Sequence, residues 1–295
     1  MKYFLFYVFF ISQAFAGIKV ITTTSDLAWA VEKIGGDRVV VESLLNGSED
    51  PHYVEAMPHW IVKLIQADVF CMVGLDLEIG WAARILERSG NRKIQPGGKG
   101  HCNAGKNVAA LEIPTGKINR SMGDIHPAGN PHYHLGPGFY IQAIEGIFAV
   151  LMDVDPTGAE IYSKNFQLIK SEMKKLKEEV SVILKPLRNK KFMSYHKEFS
   201  YFFHDFNLTS LGEIEENPGI PPSAGRVARM ALKAKQNDMA VLLAAKNNPR
   251  KIIDRFSNIS KTPSVMLHTS IQKDKFPSNY RELILQIAHA LTEKP

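Results

Sequence analysis

The sequence predicts an α/β protein of two lobes, each a parallel sheet flanked by helices, the two joined by one long rigid helix. Three observations carry this prediction. Short β-branched runs alternate with stretches of helical apolar spacing toward both ends of the chain, the signature of parallel strands covered by their own crossover helices. At 295 residues the chain is longer than one hydrophobic core usually serves. Between the two alternating regions, from Pro156 to about Leu184, runs one amphipathic pattern, with Pro156 suited to its first turn and Pro186 to its end.

Element by element, residues 2–16, KYFLFYVFFISQAFA, offer a Lys, an unbroken apolar run and an Ala-Phe-Ala ending. That is the layout of a cleaved export signal, and the run is short for a membrane span. The mature chain is expected to begin near Gly17 and to work in the periplasm. No Cys follows the cleavage point, so a lipid anchor is not indicated. The strand IKVITTT then precedes the helix DLAWAVEKI, which Ser25 can cap and Gly35-Gly36 close. RVVVESLL is a second strand opening into the loop NGSEDPHYVEAMP; HWIVKLIQA is a helix, DVFCMVGL a strand and EIGWAARILERSG a helix. QPGGKGHCNAGKN is a Gly-rich loop without the spacing of a nucleotide fingerprint. Beyond the long helix, KKFMSY, LTSLGEI, MAVLLAA and PSVML are strands, alternating with helices in EFSYFFHDF, SAGRVARMALKAKQN, PRKIIDRFSNI and YRELILQIAHALTE. The expected divisions are a signal peptide at 1–16, an N-terminal α/β lobe at 17–136, a helical region with the bridging helix at 137–186 and a C-terminal α/β lobe at 187–295.

Composition narrows the function. The chain is 45% hydrophobic and 22% charged, as globular proteins are, with a formal charge of +6. That charge is dispersed, with no basic stripe interleaved with aromatics, which argues against nucleic acid. Cys71 and Cys102 could oxidise in an exported chain, yet Cys71 lies within ADVFCMVGL, where a buried thiol serves as a small hydrophobe; both readings stand.

The histidines are distributed unevenly. Of ten in the chain, His126, His132 and His134 crowd into GDIHPAGNPHYH. His52, His132, His196 and His268 each fall at the end of a predicted strand or in the loop after one, two in each lobe. In open parallel sheets, ligands gather beyond the carboxyl ends of the strands, and four imidazoles meeting in a cleft make a closed tetrahedral site suited to Zn(II). If the segment is extended, His132 and His134 point to opposite sides, so one chelates while the other packs at the cleft mouth. His126 reads as a rim residue able to capture metal transiently. His59 reads as structural, and His101, His204 and His289 as background. Asp50 and Glu55, beside His52, are candidates to accept a ligand N–H.

These segments resemble a known family. EDPHYVEAMP is similar to the D-P-H-x-(Y/F)-E-x-x-P motif of the metal-binding receptors of zinc and manganese ABC importers, GNPHYHLGP to their N-P-H-x-W-L-D-P, and YHKEFSYFF to their H-x-x-(F/Y)-x-Y-F. NPGIPPSAGRVARM and PRKIIDRF resemble later segments, so the likeness runs through the whole mature chain. It implies two lobes bridged by a rigid helix with metal held between them. His52, His132 and His196 match three ligand positions. The fourth is usually Asp at the end of a late strand, where this chain reads MLHT, so His268 stands in for it. His134 replaces the usual Trp, and Gly136 the usual Asp.

The expected function is an extracytoplasmic receptor that binds one Zn(II) per chain and delivers it, as a monomer, to the membrane permease of an ABC importer. Imidazole suits zinc better than manganese, which prefers carboxylate oxygens. A manganese receptor and a periplasmic metallochaperone are the near alternatives. A secreted zinc hydrolase is the distant one: it would need an open coordination position and a general base, and the chain has no H-E-x-x-H.

Overall fold

A computed structural model describes residues 17–116, 123, 126–217 and 219–292. The expected export signal lies outside them. The first sheet is built from β1 (Ile18–Thr22), β2 (Val39–Ser43), β3 (Val69–Met72) and β4 (His101–Asn103), with α1 (Ser25–Gly35), α2 (Pro58–Ile65) and α3 (Ala82–Ser89) between them. Its strand order is β2-β1-β3-β4 and each pairing is parallel. After α4 (Pro137–Val154) and α5 (Ala159–Ile183) the pattern repeats. β5 (Lys191–Ser194), β6 (Thr209–Glu213), β7 (Val241–Ala245) and β8 (Ser264–Leu267) alternate with α6 (Ser200–Asp205), α7 (Ala224–Gln236) and α8 (Arg250–Ser260), and α9 (Tyr280–Thr292) closes the chain. The second sheet has the order β6-β5-β7-β8, again all parallel.

The long amphipathic pattern is α5, preceded by a single 3-10 turn at Pro156–Gly158. Its apolar stripe, Tyr162, Phe166, Ile169, Met173, Leu176 and Val180, is buried, and it belongs to one core continuous with residues of both sheets. At one end Asn165 donates to the Ile34 carbonyl of α1 at 3.0 Å; at the other, Arg281 of α9 grips Glu179 with both nitrogens at 2.6 and 2.7 Å. The helix therefore links the lobes as a packed strut.

The Gly-rich loop differs from expectation in containing β4, whose three residues complete the first sheet. There Cys71 and Cys102 are register partners on β3 and β4 and are joined by a disulfide, both almost wholly buried.

A second tie between the lobes lies on residues 269–273, which follow β8. Ser25 donates to the Ile271 carbonyl at 2.5 Å, and the Ile271 N–H donates to Asp26 at 2.9 Å. The Gln272 amide donates to the Gly47 carbonyl at 2.5 Å, and the Lys273 N–H to the Asn46 carbonyl at 3.2 Å. Gly47 is required at this seam. Its φ is +91°, and a Cβ there would sit 2.0 Å from the Ile271 oxygen.

Candidate metal centre

Three of the four strand-end histidines meet between the lobes. One ring nitrogen from each of His52, His132 and His196 lies within 4.8 Å of the others, with ring centroids 5.2, 5.3 and 5.8 Å apart. Different elements carry each ring. His52 sits in the loop between β2 and α2, where Asp50 accepts from both the His52 backbone N–H at 3.0 Å and its Nδ1 at 2.7 Å. The Trp81 indole N–H, donating to the Pro51 carbonyl at 2.9 Å, anchors the same loop. His196 follows β5, and its Nδ1 is bonded to Glu215, just beyond β6, at 2.5 Å. His132 precedes a 3-10 turn at Tyr133–Leu135, and its backbone N–H donates to the Asn130 side chain at 2.9 Å.

A carboxylate that accepts from Nδ1–H fixes the tautomer and leaves Nε2 as a bare donor lone pair. His52 and His196 are thus both oriented to offer Nε2. In His132, Nε2 is buried without any hydrogen-bond partner, although buried polar atoms are nearly always paired. A cation among the three nitrogens satisfies that atom, and the residues fit one. The cavity they line measures about 80 Å³, well below the roughly 300 Å³ at which pockets for organic ligands begin.

Charge is graded across the cluster. His132 is held neutral, its pKa well below the ordinary 6.5, by burial and by the neighbouring charges of His52, His196, His134 and His126. For His196 burial works the same way, but the charge of Glu198, the hydrogen bond and charge of Glu215, and the charge of Asp50 outweigh it and lift its pKa. Asp50 is held below the usual carboxylate range: burial opposes this, and the contacts with His52 prevail.

His268 does not join the three. Strand alternation sends Val265 and Leu267 into the core shared with α5, and Met266 to the opposite face, toward α7 and α8. His268 has the parity of Met266, and it lines a separate cavity with Gly47, Ser48, Glu49, Lys246, Asn247 and Thr269. The residues after β8 that reach the histidine cavity are Thr269 and Ser270. His134 stands 6.4 Å from the His132 ring, and its Nε2 contacts the Thr269 carbonyl at 2.7 Å, which adds to the seam between the lobes. The segment is a 3-10 turn rather than extended chain. His126 Nε2 lies 3.1 Å from His52 Nε2, at the rim of a neighbouring cavity that His132 and His196 also line. Glu55 is exposed on a different surface cleft, so of the two carboxylates flanking His52 it is Asp50 that takes the ring N–H. His101 is occupied with the Ile94 carbonyl at 3.0 Å, and His204 packs on the Phe139 ring.

Among the carboxylates lining the cleft that the sequence does not single out, Glu198 and Glu215 flank His196. Glu215 lies just past the carboxyl end of β6, the same kind of position that marks the histidines.

A pair of parallel-sheet lobes tied by a helix, with a buried imidazole cluster between them, has the form of a binding site for a metal cation. The family model of ZnuA, the zinc-uptake complex component A, periplasmic, matches residues 20–294. The chain belongs to this family: it is a substrate-binding protein of a metal ABC transporter, not an enzyme, and its partners are the transporter's membrane permease and ATPase. Among similar proteins, the metal ABC transporter substrate-binding lipoprotein SloC of Streptococcus mutans is 24% identical over 94% of this chain and 90% of its own. The manganese ABC transporter substrate-binding lipoprotein PsaA of Streptococcus pneumoniae is 25% identical over 82% and 77%. Among solved structures, a crystal structure of ZnuA superposes with a TM-score of 0.79 at 22% identity, covering 94% of this chain and 99% of the other. The periplasmic zinc binding protein TroA of Treponema pallidum gives 0.77 at 15% identity, with 94% and 99% covered.

Proposed function

We propose that the cargo is Zn(II), one ion per chain, received outside the cytoplasm by a chain exported through cleavage near Ala16 and Gly17. The proposed donors are His52, His132 and His196. His268 is left out of the set because its parity on β8 turns it to another cavity. The observation that carries the reading is the convergence of three imidazoles, two of them with Nδ1 committed to carboxylates and the third with an unpartnered Nε2. Imidazole donors favour zinc over manganese. Zinc in ZnuA and TroA accords with this. Manganese is the second reading, favoured by the relatives named as manganese-binding lipoproteins and by the carboxylates around the site.

The test is native mass spectrometry of the mature protein after equilibration with equal zinc and excess manganese, followed by gel filtration. The expected result is a single zinc per chain. Retention of manganese against zinc, or of two equivalents of zinc with similar affinity, overturns the proposal.

A further inference from the structure

The buried side-chain atoms without a hydrogen-bond partner include three on residues that line the metal cleft: the Thr24 hydroxyl, and in two ionisable residues His132 Nε2 and Glu198 Oε2. Both ionisable residues are 6% exposed, and both line the cavity that His52 and His196 share. Glu198 lies two positions after His196, in the 3-10 turn Lys197–Phe199 that leads from β5 to α6. An unpaired carboxylate oxygen in a protein interior is costly until a proton or a cation answers it, and a cation site within the same cavity offers the second. No lysine or arginine does so here among the described residues: the adjacent Lys197 instead pairs with Glu112 at 3.5 Å.

The other carboxylates of the cleft are already engaged. Asp50 serves His52 Nδ1, Glu215 serves His196 Nδ1, Asp26 accepts from the Ile271 N–H and Glu49 from Asn46. Three neutral imidazoles leave a divalent ion one donor short of a tetrahedron, with its charge unbalanced by any directly bound group. Glu198 has the free oxygen, the burial and the position to supply both.

We propose that Glu198 is the fourth protein donor to the cation, completing an N3O site with His52, His132 and His196. This rests on the reading of those three histidines as metal donors. Glu198 lines the same cavity but is not among the residues whose ligand atoms lie within 4.8 Å of one another, so the proposal requires its carboxylate to swing toward the imidazoles on binding.

The experiment uses the mature chain and zinc chloride alone. Isothermal titration compares wild type with Glu198→Gln, Glu198→Asp and His132→Ala, with circular dichroism melting to confirm that each variant is folded. X-ray absorption on the zinc complexes of wild type and Glu198→Gln counts the donors. The expected outcome is at least a tenfold loss of zinc affinity in Glu198→Gln and in Glu198→Asp, whose carboxylate keeps the charge but falls short in reach. The wild-type spectrum should fit three imidazole nitrogens and one carboxylate oxygen at about 2.0–2.2 Å, and Glu198→Gln should lose the carboxylate. Unchanged affinity in Glu198→Gln, or a wild-type spectrum of four imidazoles, overturns the inference while leaving the histidine site intact. Equal affinity in wild type and His132→Ala overturns the histidine reading itself, and the inference with it.

Discussion

Replacing Glu215 by Gln removes a charge without removing volume, and it does so at one remove from the metal. Glu215 Oε2 lies 2.5 Å from His196 Nδ1, and the two side chains are 10% and 12% exposed, so solvent screens the pair weakly. The carboxylate makes the imidazole a stronger donor, for a metal and for a proton alike. Loss of such an outer partner costs about 10- to 100-fold in metal affinity, which is about 1.4–2.7 kcal/mol. That figure applies at alkaline pH, where no proton competes. As the pH falls toward and below the ordinary imidazole value, wild-type His196, whose pKa is raised, takes up its proton earlier than the variant does. Wild type then forfeits affinity that the variant, with a less basic ring, keeps. The gap between them should narrow by about 1.4 kcal/mol for each pKa unit that Glu215 had contributed. Competition titrations with a chromogenic zinc chelator, from about pH 5.5 to 8, measure both. Equal affinity at alkaline pH, or a gap that stays constant across the range, refutes the coupling of Glu215 to the metal through His196.

Zinc affinity of the wild type should itself fall with acidification. Because the folded pKa of His196 is raised above 6.5, the decline begins above that value. His132, held neutral to well below 6.5, competes for a proton only at lower pH. An affinity that is flat in zinc titrations between about pH 5 and 8 contradicts this. At the seam, Gly47→Ala places a Cβ 2.0 Å from the Ile271 oxygen at a φ of +91°. It should lower stability by about 1–3 kcal/mol, read as a lower melting temperature; an unchanged melting temperature refutes the requirement for glycine.

Much of the fold was legible because its parts are local. β1 is a β-branched run, α5 has one apolar stripe bounded by proline, and the alternation around them leaves few topologies. β4 was missed because three residues among glycines carry no period, and only pairing with β3 makes them a strand. The site divides along similar lines. His52, His132 and His196 could be placed by the rule that ligands collect past strand ends, and that rule constrains position to within a residue or two. His268 required the parity of a strand edge, which depends on which face of β8 meets α5 rather than on any spacing within PSVML. Glu198 was unreadable for a different reason: its importance lies in a missing hydrogen bond, and the sequence carries no mark of an atom left unpaired.

The seam at residues 269–273 bears on how the ion leaves. With α5 packed into a core common to both lobes and the Ser25, Asp26, Asn46 and Gly47 bonds closing the other tie, a rotation wide enough to bare the histidines would break these bonds and part shared apolar surface together. Unloading by displacement of single segments would break fewer of these bonds at once. A receptor tied in this way should release its cargo slowly on its own, which a stopped-flow chelator chase of the zinc-loaded protein measures. The permease must then supply differential contact energy to the unloading conformation, because a partner that bound both conformations equally would shift nothing. Residence time becomes a property of the encounter at the membrane, set by how strongly the permease grips the displaced segment.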